Sequence, residues 1–223
     1  PLAPNLIAVF TASAMTAGAV VLVFLAVRRH HPDHIALVTA CALGLGTNYW
    51  AIVSQTLWQH ECVALGLGLA LWSWWRPDSL TTRHLIIGAA GLALAGSARM
   101  QVAPMVAVLT LWIISRVGWR RSLVPLGVIG LAAGAEVWRN LSWFGHVLGA
   151  TTRTESLHPL LHNVPGPLAE SPVWNALGLL MSPSRGIFIY SPVVLIAVMA
   201  LIVVFAQRRA TRDLRWFALA AGV

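Results

Sequence analysis

Apolar runs of helical length recur along the whole chain, and short clusters of arginine separate them. The chain is 58% hydrophobic and only 10% charged, which is too apolar for a soluble domain of this length. We therefore predict an all-α, polytopic membrane helix bundle of about seven spans and the start of an eighth. The predicted helices cover residues 6–27, 35–53, 57–75, 85–98, 102–115, 122–138 and 187–206, and the eighth begins near residue 214.

The distribution of arginine predicts how the helices are oriented. All 15 basic residues are arginines, and most of them lie in alternate connections between the apolar runs. The positive-inside rule places that richer set in the cytoplasm. The poorer set, Arg99, Arg139, Arg153 and Arg185, then faces outward. Because the charges follow the ends of membrane helices, the net charge of +8 indicates the lipid bilayer as the partner and argues against nucleic acid.

One long connection, residues 139–186, lies on the predicted outer side. It is rich in Pro, His, Ser and Thr, and loops of this length are usually functional or disordered. Ser171 and Pro172 are typical of a helix start, so we predict a short amphipathic helix ending near Met181. We assign residues 1–223 to a single transmembrane domain. We also expect that a longer protein precedes Pro1 and carries the first outer loop.

The stretch 182–192 is the strongest candidate for a binding site. Arg185 follows Ser184 and precedes Gly186, and Tyr190 stands a few residues before the apolar run. A guanidinium held in a stiff turn at the mouth of a membrane helix is costly, and its forked donors suit a phosphate group. The alternative is an arginine that merely flanks a span. We predict that Arg185 and Ser184 bind a phosphate.

Three further groups of polar residues stand at predicted outer helix ends. Gln59, His60 and Glu61 open the third helix, where they bind sugar hydroxyls or, alternatively, form an interfacial cap. Arg99 contacts a lipid phosphate or a sugar, or it extends to the headgroups. Asn140 belongs to the end of the sixth helix, where Glu136 and Arg139 have the i, i+3 spacing of an ion pair.

No metal or cofactor is predicted from the residues. His158 and His162 have an i, i+4 spacing, but Pro159 interrupts the helical geometry between them. The chain contains no phosphate-binding loop, dinucleotide motif or nucleophile elbow. The sequence leaves a requirement for a divalent metal open.

Taken together, these motifs resemble the integral membrane glycosyltransferases of the C superfamily. The string Ser182-Pro183-Ser184-Arg185-Gly186, followed by Tyr190-Ser191-Pro192, is similar to bacterial relatives of protein O-mannosyltransferases and lipid A aminoarabinose transferases. Leu57-Trp58-Gln59-His60 looks like an outer-facing motif of the same proteins. The similarity extends from about residue 45 to residue 206 and rests on short motifs.

The resemblance implies transfer of a sugar from a polyprenyl-phosphate donor to a glycan, lipid or protein acceptor. The reaction would take place at the extracytoplasmic face of the bacterial inner membrane. Arg185, Arg99 and Ser184 would hold the donor phosphate. The sugar pocket would include His60 and Glu61, with Gln59, Asn140 and Tyr190 as further contacts, and the catalytic carboxylate would lie upstream of Pro1. The alternatives are a multi-pass transporter or lipid-intermediate flippase, and a polysaccharide polymerase or ligase.

Overall fold

A computed structural model describes residues 3–47, 59–149, 191–207 and 211–221, together with Leu177, Leu180 and Met181. Within these residues the chain forms helices and no strand, so the all-α prediction is confirmed. The helices are α1 (Ala3–Val27), α2 (Asp33–Gly46), α3 (Gln59–Trp74), α4 (Thr82–Ala98), α5 (Ala103–Val117), α6 (Trp119–Phe144), α7 (Pro192–Ala206) and α8 (Arg212–Ala221). A 3-10 turn, Met100–Val102, links α4 to α5.

The ends of α6 differ from the prediction of a helix over 122–138. The helix begins after Gly118, whose φ is 80°, and ends before Gly145, whose φ is 69°. Both values are easily adopted only by glycine, so glycines and not the loss of apolar character terminate this helix. Arg139 and Asn140 consequently lie inside α6, and the prediction that they end the helix near residue 138 was wrong.

The helices α3 and α4 form the most closely packed pair. Gly66 of α3 faces Gly91 of α4, and a Cβ atom on either residue would overlap the backbone carbonyl oxygen of the other. Gly88 likewise leaves room for the indole ring of Trp74. Small residues at helix interfaces allow such close backbone approach. The pair is antiparallel, because residues at the start of α3 contact the end of α4.

The remaining helices are arranged around this pair. Helix α1 packs on α3 and α2, whereas α6 packs on α4 and α5, and α8 covers α5. The largest buried apolar cluster contains Trp74, Leu85, Leu92, Trp112 and Ile113. The indole nitrogen of Trp112 donates a hydrogen bond of 3.0 Å to Asp213 Oδ1, which fixes α8 to the core.

In the part of the chain that the structure describes, two helical segments are long and apolar enough to cross a membrane, Asn5–Val27 and Met100–Val117. Other apolar helices among the described residues, Asp33–Gly46 and Val193–Ala206, are shorter than a bilayer requires. The second predicted helix, 35–53, ends at Gly46 in the described region, and residues 48–58 lie outside it. The two long apolar segments support membrane association. The bundle of about seven spans stays a prediction.

Polar side chains collect at the two opposite ends of the α3–α4 pair. One end, here called the Arg99 end, contains the start of α3, the end of α4 and the end of α6. The other, the Trp74 end, contains the end of α3, the start of α4 and the end of α5. Those members of the two arginine sets that the structure describes lie at these different ends. Which end faces the cytoplasm stays a prediction.

Candidate functional site

Arg99 is placed by an interruption between α4 and α5. Its backbone is extended, with φ −152° and ψ 110°, and its N–H still donates a 3.1 Å hydrogen bond to Ala95 O. The 3-10 turn then leads to Pro104, in the first turn of α5, where a missing N–H costs nothing. The side chain of Arg99 thus projects from the break between α4 and α5, in a direction that a continuous helix would not allow.

The guanidinium of Arg99 contacts His60 at the start of α3. Nη1 lies 3.0 Å from Nδ1 and 3.2 Å from Nε2 of the imidazole. Since a guanidinium only donates, the ring nitrogen that receives this bond carries no proton. Among the described residues, the Nε and Nη2 donors of Arg99 make no hydrogen bond. The side chain is half-buried and has donors available for an anion.

The three neighbouring candidates at the start of α3 have different surroundings. Gln59 is exposed, His60 is half-buried, and Glu61 is fully buried. A carboxylate in the first turn of a helix is favoured by the positive end of the helix dipole. Glu61 therefore has the position of an interior, dipole-stabilised acid. His60 is the member of the group that the structure brings to Arg99.

A groove lies between α4, α5 and α6, and its lining includes Ser97 and Met100 on either side of Arg99 in the sequence. Its volume is about 600 Å³, within the range of ligand pockets. Most of the lining is apolar, including Val106, Leu111 and Ile129. Ser97 and Met100 belong to the part of the groove lining at the end of α4. A groove of this shape is suited to an amphiphile whose apolar tail lies between helices and whose polar group lies at the Arg99 end.

The last turns of α6 supply the other polar groups of the groove. Glu136 pairs with Arg139 one turn away, and the ion pair expected from the i, i+3 spacing is confirmed. Arg139 also lies over the ring of Trp143, with 5.8 Å between the guanidinium carbon and the ring centroid. This pairing makes Arg139 a poor candidate for holding a ligand phosphate.

Asn140 has a structural contact in addition to its place in the groove lining. Its Nδ2 donates a 3.0 Å hydrogen bond to the carbonyl oxygen of Val147 in the turn that follows α6. A Cβ atom on Gly149 would lie 3.0 Å from Asn140 Oδ1, so this turn packs closely on the amide. Asn140 therefore fixes the exit of the chain from α6.

Several predicted site residues lie outside the described part of the chain. These are Arg185, Ser184 and Tyr190, which were expected to hold phosphate and substrate, together with most of the loop 139–186 and its predicted helix. His158 and His162 lie outside it as well. Among the described residues, no three His, Cys, Asp or Glu side chains gather into a possible metal site.

The Trp74 end contains a polar network whose arginines the charge pattern predicted only as markers of membrane orientation. Arg116 donates to the carbonyl oxygens of Trp74 and Arg76, at 2.7 Å and 2.9 Å. Arg29 donates to Trp72 O and lies over the Trp72 ring. The terminal carbonyl groups of a helix attract cations. Pro77, which follows the run of tryptophans, is the sequence signal that α3 ends there.

His84 has an altered protonation equilibrium at this end. Its Nδ1 accepts a 3.2 Å hydrogen bond from the backbone N–H of Thr81, in a capping box at the start of α4. Burial lowers the pKa of His84, and the positive charges of Arg76, Arg29 and Arg83 lower it further. The pKa of Arg29 is lowered by burial and by Arg76. Positive charge is therefore concentrated here.

Comparison of the chain with protein-family models, with curated proteins and with solved structures finds no match. The evidence for a function therefore comes from the geometry at the two ends of the bundle and from the short motifs of the sequence.

Proposed function

We propose that this chain functions as a membrane glycosyltransferase that binds a polyprenyl-phosphate-linked sugar and transfers the sugar at the extracytoplasmic face of a bacterial inner membrane. The observation that carries the proposal is the position of Arg99. Its half-buried guanidinium has donors not used by the described residues, and Ser97 and Met100, on either side of it in the sequence, line an apolar groove. A lipid-linked phosphate has a charged group that would bind the guanidinium and an apolar tail that would lie in the groove.

The chemistry of transfer assigns a role to the arginine. When the bond between the sugar carbon and the phosphate oxygen breaks, the leaving phosphate gains negative charge while an acceptor oxygen forms the new bond and loses its proton. A fixed guanidinium stabilises the charge on the phosphate. Arg185 and Ser184 complete the phosphate site in this proposal. A carboxylate base takes the proton of the acceptor.

His60 is proposed to line the sugar pocket. Its contact with Arg99 holds the imidazole beside the phosphate position, and an imidazole N–H can donate to a sugar hydroxyl. Gln59, which is exposed at the same helix start, offers an amide to the same hydroxyls. Glu61 is fully buried, so its proposed contribution is to position the start of α3.

Binding of the donor's lipid portion tests the proposal without knowledge of the sugar. We would titrate the full chain in detergent with polyprenyl phosphate and, in parallel, with the matching polyprenol. Arg99→Gln should weaken binding of the phosphate by about tenfold or more, since a charge-assisted hydrogen bond is lost. It should leave polyprenol binding unchanged.

Arg120→Gln is the matched control, because Arg120 is exposed and makes no hydrogen bond to another described residue. Its affinity for polyprenyl phosphate should equal that of the unaltered chain. Equal affinity of the unaltered chain for the phosphate and for the alcohol would contradict the proposal.

A transporter or flippase of an anionic lipid intermediate is the second candidate. The observation in its favour is the fully buried carboxylate of Glu61, since ionisable groups inside membrane proteins often mark a transport path. Glu61 lies in the first turn of α3, however, and not at a helix midpoint. Movement of polyprenyl phosphate across proteoliposomes that is abolished by Glu61→Gln, without sugar transfer, would establish this candidate in place of the first.

A further inference from the structure

The Trp74 end of the bundle has more positive charge than its neighbouring acid balances. Arg29, Arg76 and Arg83 all act electrostatically on His84, and Asp78 is the acid that opposes them. Asp78 Oδ2 lies 3.7 Å from Arg76 Nη2, and its side chain is 73% exposed. An ion pair that exposed is weakened by solvent. The cluster therefore keeps a net attraction for anions.

The cations in this cluster are positioned mainly by the backbone. Arg29 is held by the Trp72 carbonyl oxygen and by the Trp72 ring, whose centroid is 5.2 Å from the guanidinium carbon. The imidazole of His84, held by Thr81 in the capping box, adds a polar group to the cluster and not a further positive charge. A carbonyl orients a guanidinium without cancelling its charge. Positive charge is thus kept in place while most of it stays available.

Arg76 provides a second, independent indication of a ligand. Its Nε is buried and has no hydrogen-bond partner among the described residues, although its side chain is 19% exposed overall. A buried donor without an acceptor is costly, and donors on charged groups most of all. An oxyanion bound at the exposed side of Arg76 would supply the missing acceptor once a small movement of the guanidinium uncovers Nε.

We propose that Arg29, Arg76, Arg83 and His84 form a binding site for a phosphate group, supplied either by a phospholipid headgroup or by a free phosphate ester. Arginine recognises phosphate through forked, charge-assisted hydrogen bonds. The site lies at the opposite end of α3 and α4 from Arg99. It is therefore independent of the proposed donor site.

The test compares melting temperatures of the full chain in a neutral detergent at pH 7.5, because a ligand of the folded state raises this temperature. One arm adds inorganic phosphate, with sodium chloride at equal ionic strength as its reference. The other adds short-chain phosphatidylglycerol, with the matching diacylglycerol, which has no phosphate, as its reference. Stabilisation in both arms identifies the phosphate group as sufficient. Stabilisation by phosphatidylglycerol alone identifies the lipid headgroup as the ligand.

Arg83→Gln should weaken the stabilising effect so that about tenfold more ligand is needed. Arg83 is exposed, so this change should not impair folding. Arg76→Gln should act in the same direction, and Arg120→Gln, which changes an exposed arginine outside the cluster, should respond like the unaltered chain. Melting temperatures that match their references in both arms, or an Arg83→Gln chain as responsive as the unaltered one, would overturn the proposal.

Discussion

At the scale of single residues, the arginines of this chain differ in what they contact. Arg99 meets a histidine and keeps donors that the described residues do not use, whereas Arg116 meets two backbone carbonyls. The sequence predicted both as arginines near helix ends. It could not predict these contacts, because Arg116 and Trp74 are 42 residues apart and meet only when α3 and α5 pack. Local patterns identify a charge at a helix end, and tertiary packing decides its partner.

The His84 imidazole predicts how stability depends on pH. Its pKa is lowered in the folded chain, so the unfolded chain binds the proton more readily. The free energy of unfolding should therefore be highest above about pH 6.5 and should decrease as the pH falls through the folded-state pKa. His84→Gln keeps a side chain that can accept the Thr81 N–H and should reduce this dependence.

Melting temperatures of both chains between pH 5 and pH 8, in buffers without phosphate, would measure the difference. Every other histidine is common to both chains, so its contribution cancels in the comparison. Parallel pH profiles for the two chains would show that His84 does not have the assigned environment.

The contacts of Arg116 predict a stabilising role for its guanidinium. Arg116→Gln removes the charged donor from the Trp74 and Arg76 carbonyls, and it should lower the free energy of unfolding by about 1.5–3 kcal/mol. Arg120→Gln, four residues further along the chain, should change it by less than about 0.5 kcal/mol. Denaturant unfolding in detergent would measure both values, and equal effects would contradict the assignment of Arg116 to the end of α3.

At the scale of elements, the existence of the helices was predictable and their ends were not. Hydropathy located the segments that became α1, α4 and α5, because burial or lipid contact requires long apolar runs. The same criterion shortened α6, since Arg120, Arg121 and Arg139 interrupt its apolar run without interrupting the helix. The ends of α6 depend on backbone conformation at two glycines, which a hydropathy profile does not detect.

The α3–α4 contact predicts opposite effects for two kinds of glycine substitution. Gly91→Ala would place a methyl group against the Gly66 carbonyl and should destabilise the chain by about 1–3 kcal/mol. Gly127→Ala in α6 meets nothing within 4 Å and should stabilise the chain by about 0.5–1 kcal/mol. The change in free energy of unfolding measures each effect. Equal tolerance at the two positions would show that α3 and α4 are not in backbone contact.

At the scale of the whole molecule, the separation of polar groups between two ends predicts a single orientation in the membrane. Ser97→Cys at the Arg99 end should react with a membrane-impermeant maleimide from outside intact cells. Arg83→Cys at the Trp74 end should react only after the cells are opened. Both variants require Cys41→Ser and Cys62→Ser, because these are the two native cysteines. Reaction of both positions from the same side would rule out the predicted arrangement across the membrane.

The central claim is that the groove between α4, α5 and α6 holds the tail of a lipid whose phosphate meets Arg99. A polyprenyl phosphate with a photoreactive group in its tail, cross-linked to the full chain and mapped by mass spectrometry, tests it most directly. We expect adducts on groove residues such as Leu111 and Ala133, which Arg99→Gln reduces and Arg120→Gln does not. Adducts confined to the separate groove between α1 and α2, or unaffected by Arg99→Gln, would contradict it.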